Sequence, residues 1–275
     1  ELKAKEVSET TAPIDGSRDN CRARECEMGD MVSDAILDRV KGQGVQIVFQ
    51  NGGGLRASID QGTVTMGEVL TVLPFQNTLS TFQLTGKDVV DALENGASKL
   101  EEGAGRFAQV AGLKYSFDKS KPAGSRISDV QVMDGGAWKP IDPAKTYLAA
   151  TNNYVRQGGD GFKVFATNGQ NAYDYGPGLE QVVADYLSAH RPYTPKLDGR
   201  ITEIAATTQA EPPAAGAGAG ETKPAQPGTG ETKPAEPGTG EVKLPTTHTI
   251  VAGDNLWNLA KTYYHEGRKW RTIAK

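Results

Sequence analysis

The sequence has few cysteines and histidines, and no apolar run long enough to cross a membrane. Its 275 residues include two cysteines, Cys21 and Cys26, and three histidines. The cysteines have no further cysteine or nearby histidine with which to complete a zinc site. They can either form a local disulfide in an oxidising compartment or remain as two thiols. The histidines are scattered and no group of His and Asp has metal-ligand spacing, so we expect no metal to be bound by this chain.

Motifs of several enzyme classes are also missing. The sequence contains neither the G-x-S-x-G turn of a hydrolase nor a phosphate-binding P-loop. Its 30 Lys and Arg are outnumbered by 34 Asp and Glu, so we expect no general affinity for nucleic acid. The chain opens on Glu1-Leu2-Lys3-Ala4-Lys5 without a secretory signal, as the middle of a longer protein would. The polar residues that stand out are suited to binding rather than to a complete catalytic centre.

The composition changes sharply after the first 205 residues. The stretch 206–247 consists mostly of Pro, Gly, Ala, Thr, Glu and Lys and contains a repeat of ten residues. Such a segment cannot bury enough apolar area to offset its ordering entropy. We therefore predict a globular domain over 1–205, a disordered linker over 206–247 and a short second unit over 248–275. The second unit has a net charge of +3, which leaves −7 for the rest of a chain whose net charge is −4.

Helices and strands alternate in the first domain. Apolar residues at helical spacing predict helices over 26–40, after Thr85 and around 179–187, and Thr85 with Asp88 resembles a capping box. A turn is predicted at Gly135-Gly136. The predicted strands are 45–49, 79–84, 113–117, 127–133, 147–151 and 201–204. These elements predict a mixed α/β fold in which a twisted sheet is flanked by helices.

A glycine-rich turn, Asn51-Gly52-Gly53-Gly54-Leu55-Arg56, follows the first predicted strand. Three glycines let the backbone approach a ligand closely or take dihedrals that other residues do not tolerate. An arginine just after such a turn offers a fork of donors suited to phosphate and ribose oxygens. A second cluster, Gly158-Gly159-Asp160-Gly161, follows another predicted strand. Either cluster alone is most often only a turn, but the two together predict a binding site.

Polar and aromatic side chains are concentrated in four places. These are Arg18 with Arg22, Asn51 with Arg56, Phe75 just before Asn77, and Tyr154 ahead of Asp160. Two loop aromatics can sandwich a flat ring, and a loop carboxylate can accept hydrogen bonds from two vicinal hydroxyls. The alternative is that Phe75 and Tyr154 are core residues and that the arginines are merely solvated. Taken jointly, the residues describe a nucleoside site with places for a base, a ribose and an anion.

At these residues the sequence resembles the C-terminal domain of the 5′-nucleotidase family, which includes UDP-sugar hydrolases and ecto-5′-nucleotidases. The similarity covers about residues 1–205, and the motifs occur in the family's order. They are Gly16-Ser-Arg-Asp-Asn-Cys-Arg22, Glu27-Met-Gly-Asp30, the triple-glycine turn, Val72-Leu-Pro-Phe75, Phe107-Ala-Gln-Val110 and Asn153-Tyr-Val-Arg-Gln-Gly-Gly-Asp-Gly-Phe162.

The resemblance implies a role for each candidate residue. Phe75 and Tyr154 would stack on the base. The family often has Phe at the position of Tyr154. Asn51 would contact the base edge, and Asp160 would hold the ribose hydroxyls. Arg18, Arg22 and Arg56 would reach ribose and phosphate oxygens. Gly53 and Asn77 complete the substrate-binding set. Some members have a local disulfide where Cys21 and Cys26 stand, which supports the oxidised alternative.

In this family the catalysis lies in an N-terminal metallophosphatase domain that holds two divalent metal ions, Zn, Mn or similar. None of its motifs is present here, so the resemblance implies a chain that binds nucleosides and nucleotides without hydrolysing them. Residues 1–11 resemble the end of the helix that joins the two domains, whose relative rotation carries the nucleotide to the metals. The parent protein would be a hydrolase, a 5′-nucleotidase of nucleotide catabolism.

The last segment resembles a second family. Residues 248–264 are similar to the first strand and helix of a LysM module, which binds N-acetylglucosamine polymers such as peptidoglycan, and 267–275 to its second helix. The second strand is missing, so we predict a partial module. Together the resemblances imply a bacterial protein that is secreted, periplasmic or associated with the cell wall. The alternative function is a non-catalytic peptidoglycan-binding surface protein that uses a nucleotidase-like scaffold.

Overall fold

The computed structural model describes residues 2–204 of the chain. This range covers the predicted globular domain almost to its end. The predicted linker (206–247) and the predicted partial LysM module (248–275) lie outside the described residues and stay predictions. Within 2–204 no helix is both long and apolar enough to cross a membrane.

The strands of residues 2–204 form three sheets. In chain order they are β1 (Glu6–Thr10), β2 (Ile47–Asn51), β3 (Gly62–Thr65), β4 (Leu79–Thr85), β5 (Ala108–Ala111), β6 (Leu113–Phe117), β7 (Ile127–Asp134), β8 (Ala137–Pro140), β9 (Thr146–Asn152), β10 (Gln170–Tyr173) and β11 (Ile201–Glu203). The largest sheet has the order β10-β4-β9-β2-β5. A four-stranded sheet has the order β11-β6-β7-β8, and β1 pairs with β3 alone.

The helices are mostly short, and several begin at side-chain caps. In chain order they are α1 (Arg18–Cys21), α2 (Glu27–Val40), α3 (Met66–Val72), α4 (Gly86–Ala97), α5 (Asn153–Arg156), α6 (Lys163–Asn168) and α7 (Leu179–Ala189). Single 3₁₀ turns are formed by Leu2–Ala4, Lys41–Gln43, Gly52–Gly54 and Gly159–Gly161. The capping box predicted at Thr85 and Asp88 is confirmed, and Thr65 with Glu68 forms another at the start of α3.

The five-stranded sheet brings four loops to one edge. β2 and β9 run parallel, so the segments that follow Asn51 and Asn152 leave the sheet at the same end. β4 is antiparallel to β9 with Leu79 opposite Asn152, and β5 is antiparallel to β2 with Ala108 opposite Asn51. The segments that precede β4 and β5 therefore enter at that same end. This topology, rather than closeness in sequence, assembles the site described below.

Two hydrophobic clusters cover the two faces of this sheet. Side chains alternate along β2, so Val48 joins the cluster under α2, α3 and α7, while Ile47 and Phe49 join the opposite one. In the second cluster the ring of Phe165 from α6 lies 5.0 Å from that of Phe49 and 4.9 Å from that of Phe82, with edge-to-face geometry in both pairs. A strand buried on both faces explains why 45–49 is a largely continuous apolar run.

The predicted fold class is confirmed, and most predicted elements are present within one or two residues at their ends. The first strand is the clearest difference, because it runs over Ile47–Asn51 instead of 45–49. Its last two residues, Gln50 and Asn51, are polar yet buried, and their backbones pair with Gln109 and Ala108 of β5. Short elements without a clear apolar period were not predicted, and they are β1, β3, β5, β8, β10 and the helices α1, α3, α5 and α6.

Candidate functional site

The four loops at this edge of the sheet enclose a cavity of about 390 Å³. Eight of the nine predicted site residues lie in its wall, and two glycines, Gly54 and Gly105, line it as well. The complete lining is Arg22, Asn51, Gly53, Gly54, Arg56, Phe75, Asn77, Gly105, Tyr154 and Asp160. The predicted residue that is not among these is Arg18. Their roles in binding are not tested by this geometry and stay predictions, but their convergence on one cavity follows directly from the sheet topology.

The two aromatic residues of the wall are exposed rather than part of the core. The side chains of Phe75 and Tyr154 are 55% and 47% exposed. This rules out the alternative in which both are core residues. Large aromatic groups held at the surface beside a cavity keep apolar area in contact with water until a flat ligand covers them.

Phe75 is held at the tip of the loop between α3 and β4. The next residue, Gln76, has a φ of +56°, which turns the chain sharply after the aromatic ring. The guanidinium carbon of Arg56 lies 5.8 Å from the centre of the Phe75 ring, a cation–π contact across the cavity wall. The ring and the cation therefore belong to one surface.

Asp160 is bound by two side chains of the same wall. Its Oδ2 accepts a hydrogen bond of 2.7 Å from the Asn51 amide, and its Oδ1 accepts one of 3.0 Å from the Tyr154 hydroxyl. Burial, followed by the hydrogen bond to Asp160 and the charge of this carboxylate, raises the pKa of Tyr154, so the hydroxyl stays a proton donor at neutral pH.

The orientation of the Asn51 side chain is set by buried neighbours. Its Oδ1 accepts hydrogen bonds from Asn152 Nδ2 at 3.0 Å and from Gln50 Nε2 at 3.3 Å. Asn152 also caps α5 by accepting a hydrogen bond from Val155 N–H at 2.9 Å. With its oxygen occupied in this way, Asn51 presents its NH₂ group to Asp160.

The triple-glycine turn packs against other backbone segments of the protein. A side chain at Gly53 would put its Cβ 2.8 Å from the Cα of Gly105, and one at Gly52 would lie 2.1 Å from the carbonyl oxygen of Cys21. The N–H of Gly53 also donates to the carbonyl of Gly105 at 2.8 Å. The sequence suggested close approach to a ligand, whereas the glycines are needed first for close packing of three loops. Gly53 still lines the cavity.

Three arginines, Arg18, Arg22 and Arg56, lie close enough for their charges to interact. Burial, and then the charges of Arg18 and Arg56, lower the pKa of Arg22, and the charge of Asp160 opposes this. One NH group of Arg22 donates to the carbonyl of Gly103 at 3.3 Å, and its buried Nε has no hydrogen-bond partner among the described residues. Arg18 is exposed on α1 and acts here through its charge. Three guanidinium groups in one region repel one another, which favours an anion between them.

The loop that carries Arg22 is closed by a disulfide between Cys21 and Cys26, the oxidised alternative of the sequence analysis. The side chain of Gln109, in β5, is hydrogen-bonded to this loop. Its Nε2 donates to the carbonyl of Cys21 at 3.0 Å and to that of Arg24 at 2.7 Å, and its Oε1 accepts from Cys26 N–H at 3.2 Å. Arg24 thus contributes its backbone, and its side chain is exposed.

Sequence reasoning did not assign roles to several residues that support the site. Gln109 is a polar residue inside the apolar run 107–111, and this was the available signal in the sequence for a buried polar group with specific partners. In the structure it is fully buried. Asn95 carries no such signal, yet its Nδ2 donates to the backbone carbonyl of Asp160 at 3.1 Å, and Arg106 in turn donates to Asn95 Oδ1 at 3.2 Å.

The cavity does not fit a two-metal centre. Among its lining residues Asp160 is the one carboxylate, and His and Cys are absent from the set. A cluster elsewhere brings carboxylate oxygens of Glu25, Asp30 and Asp198 within 4.8 Å of one another. The guanidinium group of Arg200 lies 3.4 Å from Asp30 and 2.7 Å from Asp198. The positive charge beside these carboxylates is therefore supplied by Arg200.

Comparison with known proteins agrees with this arrangement. Residues 5–167 match the family described as 5′-nucleotidase, C-terminal domain. The chain is 39% identical over 207 residues to the trifunctional nucleotide phosphoesterase protein YfkN of Bacillus subtilis, covering 74% of this chain and 14% of that protein. It is 30% identical over 209 residues to a 5′-nucleotidase of Diplobatis ommata, covering 71% of this chain and 36% of that protein.

A solved structure shares the fold. The 5′-nucleotidase precursor of Thermus thermophilus superposes with a TM-score of 0.72 at 40% identity, covering 77% of this chain and 41% of that one. The chain thus spans well under half the length of each of these relatives. The family match extends over more than half of the chain and includes the glycine turns, the aromatic loops and the disulfide loop. The chain belongs to the 5′-nucleotidase C-terminal domain family.

Proposed function

We propose that the cavity binds the nucleoside end of a nucleotide and presents its 5′-phosphate for hydrolysis by a part of the protein outside this chain. The observation that carries this proposal is the set of groups along the wall. Two exposed aromatic side chains, Phe75 and Tyr154, the Asp160 carboxylate and guanidinium groups line one cavity. These groups match a base, a ribose and a phosphate.

The base would lie between Phe75 and Tyr154. Stacking of a base on aromatic side chains is worth about 1–3 kcal/mol per base, which is enough to make these two residues the main source of affinity. Asn77, which lies in the same loop as Phe75, would offer its side-chain amide to the edge of the base. Asn51 would contact the base edge with the second N–H of its amide, since the first donates to Asp160.

The phosphate would bind Arg22 and Arg56, with Arg18 adding its charge from α1. An anion would relieve the repulsion between the three cations and supply a partner for the unpaired Nε of Arg22. Because the guanidinium groups stay charged at neutral pH, this end of the site would discriminate nucleotides from nucleosides.

Catalysis would be carried out by a metal-bearing domain of the parent hydrolase. The relatives are named nucleotidases and phosphoesterases, and this chain spans only part of each. Two divalent ions in that domain would activate water and neutralise charge on the phosphate. This chain's own residues would bind and orient the substrate, so the isolated chain would bind nucleotides without hydrolysing them.

The chain would act outside the cytoplasm of a bacterium, as a secreted, periplasmic or cell-wall-associated protein. The disulfide of Cys21 and Cys26 supports an oxidising compartment. The predicted partial LysM segment would bind peptidoglycan once completed, with 206–247 as the tether. Retention of a completed chain on purified peptidoglycan, compared with residues 1–205 alone, tests this part. Equal retention of both chains would contradict it.

Isothermal titration of the chain with AMP and with adenosine tests the nucleotide site. We expect both to bind, and Phe75→Ala to weaken both by about tenfold because one stacking face is lost. Trp138→Ala is the matched control, since Trp138 is also exposed but lies on β8 in another sheet. Failure of the wild-type chain to bind either ligand, or equal binding by Phe75→Ala, would overturn the proposal.

A further inference from the structure

A second cavity, of about 510 Å³, lies at the other end of the large sheet from the cavity of the candidate site. Its lining residues Val45 and Gln46 precede β2, whereas Asn51 of the first cavity ends that strand. Likewise Gly112 follows β5, whereas Gly105 of the first cavity precedes it. At about 3.3 Å per residue, the length of β2 separates the two cavities by about 17 Å. Their linings share no residue.

The second cavity offers an apolar surface that includes one exposed aromatic ring. Its lining residues Val45 and Leu113 are buried, whereas Trp138 of β8 is 36% exposed. The ammonium group of Lys114 lies 4.4 Å from the centre of the Trp138 ring, and one cation can cover only one of the two ring faces. A partly exposed flat ring beside a cavity is suited to a ligand that has an apolar face.

The guanidinium group of Arg200, which also lines the second cavity, has no donor left for a ligand. An arginine has five N–H donors, and all five are used within the protein. Two donate to Asp34 at 2.8 and 3.2 Å, two to Asp198 at 2.9 and 2.7 Å, and one to the carbonyl of Val110 at 2.9 Å. The second cavity therefore lacks the free guanidinium donors that a phosphate would need.

The carboxylates of the second cavity are balanced in number by cations in or beside its wall. They are Asp34, Asp38 and Asp198, with Arg200, Lys41 and Lys114. Each oxygen of Asp34 and Asp198 accepts one hydrogen bond from Arg200, whereas a carboxylate oxygen can accept about two. A ligand cation would find no excess of negative charge here, but hydroxyl groups would find acceptors already fixed in place by Arg200.

We propose that the second cavity binds an uncharged sugar, whose ring lies against Trp138 and whose hydroxyl groups donate to Asp34 and Asp198. A sugar ring combines an apolar face of C–H groups with a rim of hydroxyl donors, and the second cavity combines an apolar surface with free acceptors. This inference goes beyond the proposed nucleotide-binding function and does not depend on it, because the two cavities are lined by different residues.

Titration of the full chain with uncharged sugars, followed in amide NMR spectra, tests the proposal. The probes are glucose, galactose, mannose and N-acetylglucosamine. We expect at least one of them to shift the amide signals of Gly112 and Leu113, which line the second cavity, equally with and without saturating AMP. A sugar that binds elsewhere on the chain would leave these signals unchanged. Unchanged signals with all four sugars, or shifts that AMP abolishes, would overturn the proposal.

A modified sugar and a cation test the chemistry of the second cavity. The fully O-methylated form of the sugar that binds keeps the ring and loses every hydroxyl donor. We expect it to bind about tenfold more weakly, because hydrogen bonds to charged groups are lost. We expect putrescine, a diamine, not to displace the sugar. Equal affinity of the two sugar forms, or displacement by putrescine, would overturn the proposal.

Variants of Trp138 test the ring surface. We expect Trp138→Ala to weaken sugar binding about tenfold and Trp138→Phe, which keeps an aromatic ring, to weaken it by less than about threefold. Tyr175→Ala is the matched control, because Tyr175 is also exposed but lines neither cavity. The amide spectra show at the same time that each variant is folded. Sugar affinity that is unchanged in Trp138→Ala, or reduced equally in Tyr175→Ala, would overturn the proposal.

Discussion

The side-chain Nε2 of Gln109 lies 3.0 Å from the carbonyl oxygen of Cys21, which is 88 residues earlier in the chain. This contact connects a strand of the large sheet to the loop that carries Arg22. Gln109 is fully buried and uses both ends of its amide on that loop. The position of the arginine is therefore set from the interior of the domain as well as by the disulfide.

Replacement of Gln109 by leucine should destabilise the domain and loosen this loop. Three hydrogen bonds are lost and buried backbone groups are left unpaired, so we expect a cost of about 2–4 kcal/mol in the free energy of unfolding. Urea denaturation followed by circular dichroism measures it. Gln181→Leu on α7 is the control, because that side chain is exposed and donates only to its neighbour Asp185. Similar midpoints for the two variants would contradict the assignment.

Arg22 should contribute to phosphate binding and not to nucleoside binding. We expect Arg22→Gln to lower the affinity for AMP about tenfold and to leave the affinity for adenosine nearly unchanged, because a charge-assisted hydrogen bond is lost. Titrations with the two ligands measure the difference. The control is Arg24→Gln, whose exposed side chain is outside the cavity wall. A parallel loss for both ligands would place Arg22 at the sugar or in the structure of the loop.

Gly53 should not tolerate even a methyl group. The Cβ of alanine would lie 2.8 Å from the Cα of Gly105, so one loop must move, and we expect a destabilisation of about 1–3 kcal/mol together with weaker nucleotide binding. Gly42→Ala is the control, since nothing lies within 4 Å of a Cβ at that position. Thermal unfolding and AMP titration of both variants provide the comparison. If Gly53→Ala behaves like Gly42→Ala, the close packing of the two glycine loops is wrong.

The buried carboxyl of Asp30 should make stability depend on pH. Burial raises its pKa from 3.8 to about 9, Arg200 opposes this, and Glu25 and Asp198 add to it. The folded protein then keeps a proton that the unfolded chain releases above pH 3.8. The stability associated with this group is full below that pH and falls as the pH rises toward the folded-state pKa, by at most about 1.4 kcal/mol per pH unit.

The variant Asp30→Asn isolates this effect, because asparagine has nearly the shape of the neutral carboxyl and does not titrate. We expect its free energy of unfolding, relative to that of the wild type, to increase steadily between about pH 5 and pH 8. Urea denaturation at several pH values measures the difference. A difference that stays constant over this range would show that Asp30 is ionised in the folded state and paired with Arg200.

The amino-acid sequence alone was enough to predict the elements with strong local signals. Helix α2 and the capping box of Thr85 with Asp88 depend on contacts between near neighbours, which leave a period or a motif in the sequence. Strand β6 pairs with distant strands, but its residues alternate between buried and half-buried positions, and this alternation is visible in the sequence. The short strands β1, β3 and β10 are also held by pairing with distant strands and carry no such period. Propensity is too weak to specify them.

For the candidate site, too, some features could be predicted from the sequence and others only from the tertiary structure. The sequence by itself supplied the glycine turns, the loop aromatics and the arginines as candidates, since these residue types are unusual in their local context. Only the tertiary structure could decide that Phe75 and Tyr154 are exposed, that Gly53 packs on Gly105, and that Asp160 is held by Asn51. The physical reason is that these properties depend on chain segments that are distant in sequence. The parallel strands β2 and β9 bring Asn51 and Asp160 to one edge of the sheet, and the antiparallel strands β2 and β5 bring Gly53 to Gly105.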